Sequence, residues 1–547
     1  MKYSFIKRTS VLTLLTISLV YLTSCTKKFK EFNTDPTGIS NQQLAVDYQN
    51  LGAPLEQAQL NIYVGNPAWA YQLQQNLIAD VYSGYMMSPD PFQSNVNNTN
   101  YFLVDGWNSY PWDWAYNNVM NNIKSVLSQT TDPKYASYYQ WAKILRVEAM
   151  HRVSDIYGPI IYTHYGTLNA DGSVTYDSQK DAYYAFFADL DSAITTFTDL
   201  VQKGAPATFS AYDLAYGGSF QKWLKFANTL RLRLALRISK VDPAKAQSEG
   251  EAALANPVGL LTTNDDNCFV DCGPIDHPVD VINNSWGDIR LGAPVGSIMN
   301  GYNDARITKY ATKASDAAVA GQYIGIRNGI NIDAIGRYEN YSSVVLAYPG
   351  PDNTAPNPSA TAKVQLMVAA EAWFLKAEAA IRGWAGAGDA QTDYNTGITT
   401  SFGQYGLDGS SYINDAVRKP QPYLDPKAQT AGQNDVTTGS PYLSTITIKW
   451  DNSATFDQML ERIITQKWIA LYPEGQEAWS EFRRTGYPKL FPVVINNSGG
   501  TISTTQFIRR INFPADERAN NPAGVTDAVT KLGGPDNGGT RLWWDLP

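Results

Sequence analysis

Apolar positions recur at three- and four-residue spacing through most of the N-terminal half of the chain, the pattern of helices that bury one face. Asn66-Pro67 opens one such run toward Met87, with Asn as cap and Pro in the first turn. Asp132-Pro133 opens another, in which Tyr138, Trp141, Ile144, Leu145 and Val153 mark the apolar face and Gly158 the stop. Ser178-x-x-Asp181 is a capping-box variant ahead of Tyr183, Phe186, Phe187, Leu190 and Ile194. Phe220 to Ile238 keeps the period through Trp223, Leu224, Phe226, Leu230 and Leu234, and Asp242-Pro243 begins the next helix. Long helices with short links predict antiparallel pairs.

The pattern breaks from about Asn256 to Ala360, where Gly, Pro, Asn and Asp rise and only Pro294–Tyr302 keeps a helical stripe. A loop-rich stretch of that length inside a helical protein points to function. Helical period returns at Val364–Trp384 and Ala390–Phe402. It lapses over Leu407–Ser453 and resumes at Phe456–Leu471 and Glu477–Arg484, before a turn-rich tail ending in Trp543-Trp544-Asp545. Ala370, Ala372, Ala377, Ala379 and Ala380 put small residues on the first helix of the returning pair. Tyr394, Gly397, Ile398 and Phe402 recur on the second. Small residues receiving aromatics from a partner helix are the packing of tetratricopeptide-like hairpins, with an ordinary helical hairpin as the alternative.

The N-terminus carries a different signal. Lys2, Lys7 and Arg8 precede an uncharged, mostly apolar run from Thr9 to Ser24 that closes on Leu22-Thr23-Ser24-Cys25. This reads as a secretion signal over residues 1–24, too short and too rich in Ser and Thr for a spanning helix. Its end resembles the bacterial lipobox, which predicts acylation of Cys25. Losing the signal makes the formal charge of −8 three units more negative, and an acidic chain without basic clusters argues against nucleic acid as a partner. Outside the cytoplasm, Cys268 and Cys272 are candidates for a local disulfide. A metal site drawing on His277 would lack the four ligands of structural zinc. Asp265, Asp266 and Asp271 cluster oxygen ligands that calcium accepts, without EF-hand spacing; a solvated acidic turn is the favoured reading.

No motif for catalysis stands out. The three histidines belong to no HExxH pattern, and no GxSxG, Walker or dinucleotide-binding sequence is present. No cofactor is expected. Glu148-x-x-His151-Arg152 predicts a structural polar cluster on one helix face, and Glu477 with Arg483-Arg484 predicts ion pairs in the core.

Several segments, in order, resemble the SusD/RagB family of outer-membrane nutrient-binding lipoproteins. They are the lipobox followed by Phe32-Asn33-Thr34-Asp35-Pro36, the helix Glu371–Ala379, and Ile464–Leu471 leading to Gln476-Glu477-Ala478-Trp479 and Arg483–Pro488. The close, Arg509-Arg510-Ile511 with Pro514, Glu517-Arg518 and Arg541–Asp545, completes the set. The resemblance implies a mainly α fold, with a tetratricopeptide-like helical-repeat scaffold of four units carrying long loop-rich excursions. Residues 25–547 would form one domain, with insertions near 256–360 and 407–453. It also implies lipid anchorage at the cell outer membrane, exposed at the surface, beside a SusC-like TonB-dependent transporter. Basic Thr26-Lys27-Lys28-Phe29-Lys30 departs from the acidic residues that surface members often carry there.

Aromatics reach 12%, with 34 Tyr and 14 Trp, whose apolar faces and polar tips suit wet binding surfaces. Two loop-like regions place them beside polar groups. The first holds Asp80, Tyr82, Tyr85, Asn100, Tyr101, Trp107, Tyr110 and Trp112; the second holds Asn284, Trp286, Asp288, Arg290, Tyr323, Arg327 and Tyr338. The ligand expected there is an oligosaccharide. A peptide, as in RagB-type uptake, is the alternative, and because carboxylates are abundant a glycosidase-like pair stays open.

Overall fold

Side-chain caps start the scaffold helices close to where the spacing predicts them. The computed structural model describes residues 46–346 and 363–547, so the signal segment, Cys25 and Phe32–Pro36 lie outside the described residues. Val46–Leu51 belong to a separate N-terminal unit, and the helical scaffold and both aromatic regions lie within Gly52–Pro547. Helix α1 (Ala136–Tyr157) follows a turn capped by Asp132. Ser178 accepts the Asp181 amide before α2 (Gln179–Gln202), Ser219 accepts the Lys222 amide before α3 (Phe220–Arg237), and Asp242 accepts the Lys245 amide before α4 (Pro243–Ala255). Consecutive helices in this run pack on one another. Ile238–Asp242 is the short link the spacing predicts, whereas Gly158–Ser178 and Lys203–Ser219 are longer excursions between packed neighbours.

The C-terminal helices are α5 (Ala369–Ile381), α6 (Ala390–Gln404), α7 (Phe456–Leu471) and α8 (Gly475–Thr485), with α5 packed on both α6 and α7. A Cβ placed on Gly397 of α6 would stand 2.9 Å from the Phe374 ring of α5. The small residue receiving an aromatic is therefore on α6 there, the reverse of the expected direction. Two further expectations fail. Val364–Met367, read as the start of a helix, belongs to a strand (Lys363–Met367) antiparallel to Cys268–Asp271, its backbone hydrogen bonds taken by that ladder. The tail contains two helices, Ala515–Asn520 and Pro522–Leu532, the second starting at a proline and stopping at left-handed Gly533.

Charge sits between these helices. Arg233 of α3 grips both oxygens of Glu371 on α5 at 2.8 and 2.7 Å. Arg237 pairs with Glu477 and Glu481 of α8 and lies 3.3 Å from Asp155 of α1. Lys467 of α7 reaches Glu371, Glu477 and Glu481 at 3.1–3.4 Å, and Arg484 ties Glu378 to Glu481. All these side chains are at most 3% exposed. Burial alone would raise Glu477, but Arg237, Lys467 and Arg233 hold it down to about 2. The expected Glu148–His151 contact is present at 3.3 Å at the edge of this network.

The two loop-rich stretches share a smaller core of their own. Ala293, Ile324, Ile326, Ile330, Ile332, Tyr338 and Tyr341 pack with Tyr423, Val436 and Phe491. The hydroxyls of Tyr338 and Tyr341 donate to Asp425, each at 2.8 Å. Among the described residues no helix is long and apolar enough to cross a membrane.

Candidate functional site

Two short contacts bring the separate aromatic regions together. Met86–Met87 pairs antiparallel with Arg290–Leu291, and the helical segment Val281–Trp286 packs on Ala68–Tyr71. Gln72 donates to Asp288 at 2.9 Å. Trp69 lies three residues before Gln72, one helical turn away. Trp69 is 46% exposed and Trp286 40%. The edge of Trp69 meets Tyr110 at 5.7 Å and Trp114 at 6.2 Å, while Tyr110 and Trp114 stack on each other at 5.9 Å. Trp114 donates its indole N–H to Asn61 at 2.7 Å, which fixes its orientation. The remaining polar groups are Asn284, exposed, and Asp288, half-buried. Burial raises the Asp288 carboxyl above its ordinary range, opposed by the Gln72 hydrogen bond and reinforced by Asp90. Exposed indole faces flanked by a carboxamide and a carboxyl can stack on the C–H face of a sugar ring and bond its hydroxyl rim.

The turn carrying Trp286 is held from beneath. It ends at left-handed Gly287, where φ is +78°. Arg290 donates to the carbonyls of Asn283, Gly287 and Ile289 and is itself buried. Arg290 thus positions the turn and does not face solvent.

Eight other expected contact residues also turn inward. Asp80 is fully buried, accepting from Tyr71 at 2.9 Å and from Asn76 and Gln75 at 3.3 Å, and burial pushes its carboxyl up to about 7. Tyr82 packs on Trp479 and Tyr85 on Trp468, because both follow the helix into its contact with α7 and α8. Trp112 lies among Tyr116, Tyr157, Tyr176 and Phe513. Tyr338 belongs to the loop core around Asp425, and Asn100, Tyr101 and Arg327 are likewise buried. Trp107 is half-buried with Phe92 edge-on at 5.9 Å. Tyr323 lines a separate polar cleft of about 190 Å³ with Asn300, Gln322 and Gln421. Trp69 and Trp114 went unnoticed in the sequence, yet one signal was available: Tyr110 and Trp114, four apart, share a helix face that Trp112 does not.

The cysteine expectation is corrected, and the favoured solvated acidic turn holds for Asp265 but not for Asp266, which is buried. Cys268 and Cys272 are free thiols. Cys268 sits in the strand ladder, where four residues of extended chain span ~13 Å, beyond the reach of a disulfide. Asp266 is used as a local cap, accepting the Thr262 and Thr263 amides and pairing with Lys225 at 3.0 Å. Asp271 accepts the Gly273 amide, and it is the Asp265 backbone carbonyl that Lys222 meets. Among the described residues no group of three or more His, Cys, Asp or Glu is placed to hold a metal ion.

A family model described as SusD-like, Susd and RagB outer membrane lipoprotein, matches residues 31–545. A chitin-binding SusD homolog from Flavobacterium johnsoniae is 43% identical, with a TM-score of 0.84 over 91% of this chain and 98% of its own. A SusD homolog from Bacteroides vulgatus is 36% identical, with a TM-score of 0.84 over 92% of this chain and 99% of its own. A SusD-like protein from Bacteroides thetaiotaomicron is 33% identical, with a TM-score of 0.82 over 91% and 99%. No curated protein matches the chain.

Proposed function

This chain belongs to the SusD-like family of outer membrane lipoproteins, and from that premise we propose that it captures a glycan, an oligosaccharide of the chitin type, and delivers it to a SusC-like TonB-dependent transporter. One observation carries the reading. Of the 14 tryptophans only Trp69 and Trp286 are exposed, and they come from separate parts of the chain onto neighbouring elements. Indoles left 40–46% exposed forgo part of the ~1.5–3 kcal/mol that full burial of a large apolar side chain gains, which favours a ligand-facing role. The chitin-binding description of the Flavobacterium johnsoniae relative supports N-acetylglucosamine oligomers as the cargo class. The acetamido methyl and the sugar C–H face suit the indoles, and the amide and hydroxyls suit Asn284 and Asp288.

The protein acts by binding alone. Aromatic stacking slows release of the oligomer at the transporter mouth, and an open face lets it pass inward without a bond being broken. Acylation of Cys25 keeps that face at the membrane.

Isothermal titration of the soluble form beginning after Cys25, against chitin oligosaccharides, neutral glucan oligomers and mixed peptides, tests the reading. Saturable binding of an oligosaccharide recovered intact is expected. Binding of peptides with silence from every oligosaccharide would replace it with peptide uptake, and shortened oligosaccharide would replace it with hydrolysis.

A further inference from the structure

Beside the C-terminal segment, away from the residues of the aromatic face, α8 and the chain around residues 505–509 enclose a pocket of about 340 Å³. Lys240, Arg483, Arg484, Lys489, Arg509 and Arg541 line it, and no Asp or Glu side chain does, in a chain whose formal charge is −8. Two of these charges are accounted for. Arg484 is neutralised by Glu378 and Glu481. Arg509 and Arg541 share the single carboxylate of Asp545, leaving one positive charge over.

The other three have no carboxylate within ion-pair distance among the described residues. Arg483 is 2% exposed and spends its N–H groups on the carbonyls of Asp155, Arg509 and Trp479 and on Ser480 Oγ, its guanidinium 3.6 Å from the centre of the Trp479 ring. Lys240 reaches solvent and Lys489 is half-buried. Pro547 lies at the same pocket, and no ion pair joins it to these groups. Burial and then Arg484 lower Lys240 against the pull of Asp545; burial and then Arg509 lower Arg541, again opposed by Asp545; burial presses Arg483 down to about 9 against Asp155 and Asp545.

The walls are aromatic. Phe507 meets Phe482 edge-on at 4.9 Å and Tyr442 at 6.2 Å. Its own backbone is left-handed, φ +61°, a conformation a bulky residue holds only when its surroundings impose it, as happens at functional sites.

We propose that this pocket is an oxyanion site, taking the sulfate, phosphate or carboxylate group of a ring-sized ligand such as an acidic sugar. The ammonium groups of Lys240 and Lys489 and the half-buried guanidinium of Arg541 supply charge-assisted hydrogen bonds to the anion, and the aromatic wall meets the ring that carries it. The volume admits a substituted monosaccharide as well as a bare ion.

Titration at low ionic strength with N-acetylglucosamine 6-sulfate, glucuronate, inorganic sulfate and phosphate, against neutral N-acetylglucosamine, tests this on wild type and the double variant Lys240→Ala/Lys489→Ala. Both side chains reach solvent, so the fold is expected to persist, with an unchanged melting curve as the check. Saturable anion binding that weakens with salt and falls at least tenfold in the double variant is expected. Tighter binding of the sulfated sugar than of inorganic sulfate assigns a sugar-borne anion; equal affinity assigns a free one. No saturable anion binding, or binding that the double variant leaves intact, overturns the site. Binding of neutral chitin oligosaccharides by the same variant should be unchanged, so failure here is separable from failure of the glycan reading.

Discussion

Between α3, α5, α7 and α8 lie four basic side chains and at least as many carboxylates, nearly without water. Away from that network, two tryptophans, Trp69 and Trp286, are exposed. Charge is inside and large apolar rings are outside, which inverts the usual preference of both residue types. The difference teaches what each region is for. Buried ion pairs contribute little net stability against a well-packed apolar alternative, but removing one partner is costly. Such a network therefore holds helices in one arrangement. Exposed indoles contribute nothing to that arrangement and are free to serve a ligand.

The contrast can be broken from the scaffold side first. Arg237→Ala leaves Glu477, Glu481 and Asp155 without their shared cation, and a loss of about 3–5 kcal/mol in urea unfolding is expected. A loss below ~1 kcal/mol, the range of an exposed pair, would mean the network is not what fixes the helices.

A pair on one short helix sharpens it. Trp112→Ala removes a ring packed among four aromatics and should cost about 3–5 kcal/mol. Trp114→Ala, two residues on, should cost about 1 kcal/mol or less in stability and weaken glycan binding instead.

The pH dependence separates the two kinds of buried carboxyl. Asp80 is raised to about 7 chiefly by burial, so the folded state holds a proton that the unfolded state releases near pH 4. The contribution of Asp80 therefore declines as pH rises from about 4 to 7 and then levels. Glu477, held down to about 2, has the opposite sign: its contribution is full above its unfolded value near 4.5 and is lost as pH falls toward 2. Asp80→Asn should flatten the decline between pH 5 and 8 by ~1–3 kcal/mol in denaturant midpoints taken across that range. An unchanged slope would place the titrating group elsewhere.

Much of the scaffold was legible because helix starts are local chemistry. Asp132, Ser178 and Asp242 cap where their spacing predicts, whereas the expected Asn66 cap is absent because Pro67 stands at that position, and Glu477 with Arg484 announced core ion pairs that the structure contains. Lys363–Met367 was not legible, since what makes it a strand is a partner nearly a hundred residues earlier. The site was only half legible. Trp286 and Asn284 lie where loop composition pointed, but Asp80, Tyr82, Tyr85, Trp112, Arg290 and Tyr338 turn inward. An aromatic beside polar residues looks the same in sequence whether the polar group meets ligand or, like Asp425 under Tyr338, closes a buried hydrogen bond. Trp69 was missed because the rings it packs on, Tyr110 and Trp114, lie far along the chain.

The most direct test of the central claim is titration of chitin oligosaccharides into wild type and Trp69→Ala/Trp286→Ala, with melting curves recorded for both. A ten- to hundredfold loss of affinity, about 1.4–2.8 kcal/mol, with the melting curve unchanged, is the predicted result. Equal affinity in the two proteins would contradict the account and remove the aromatic face from the function.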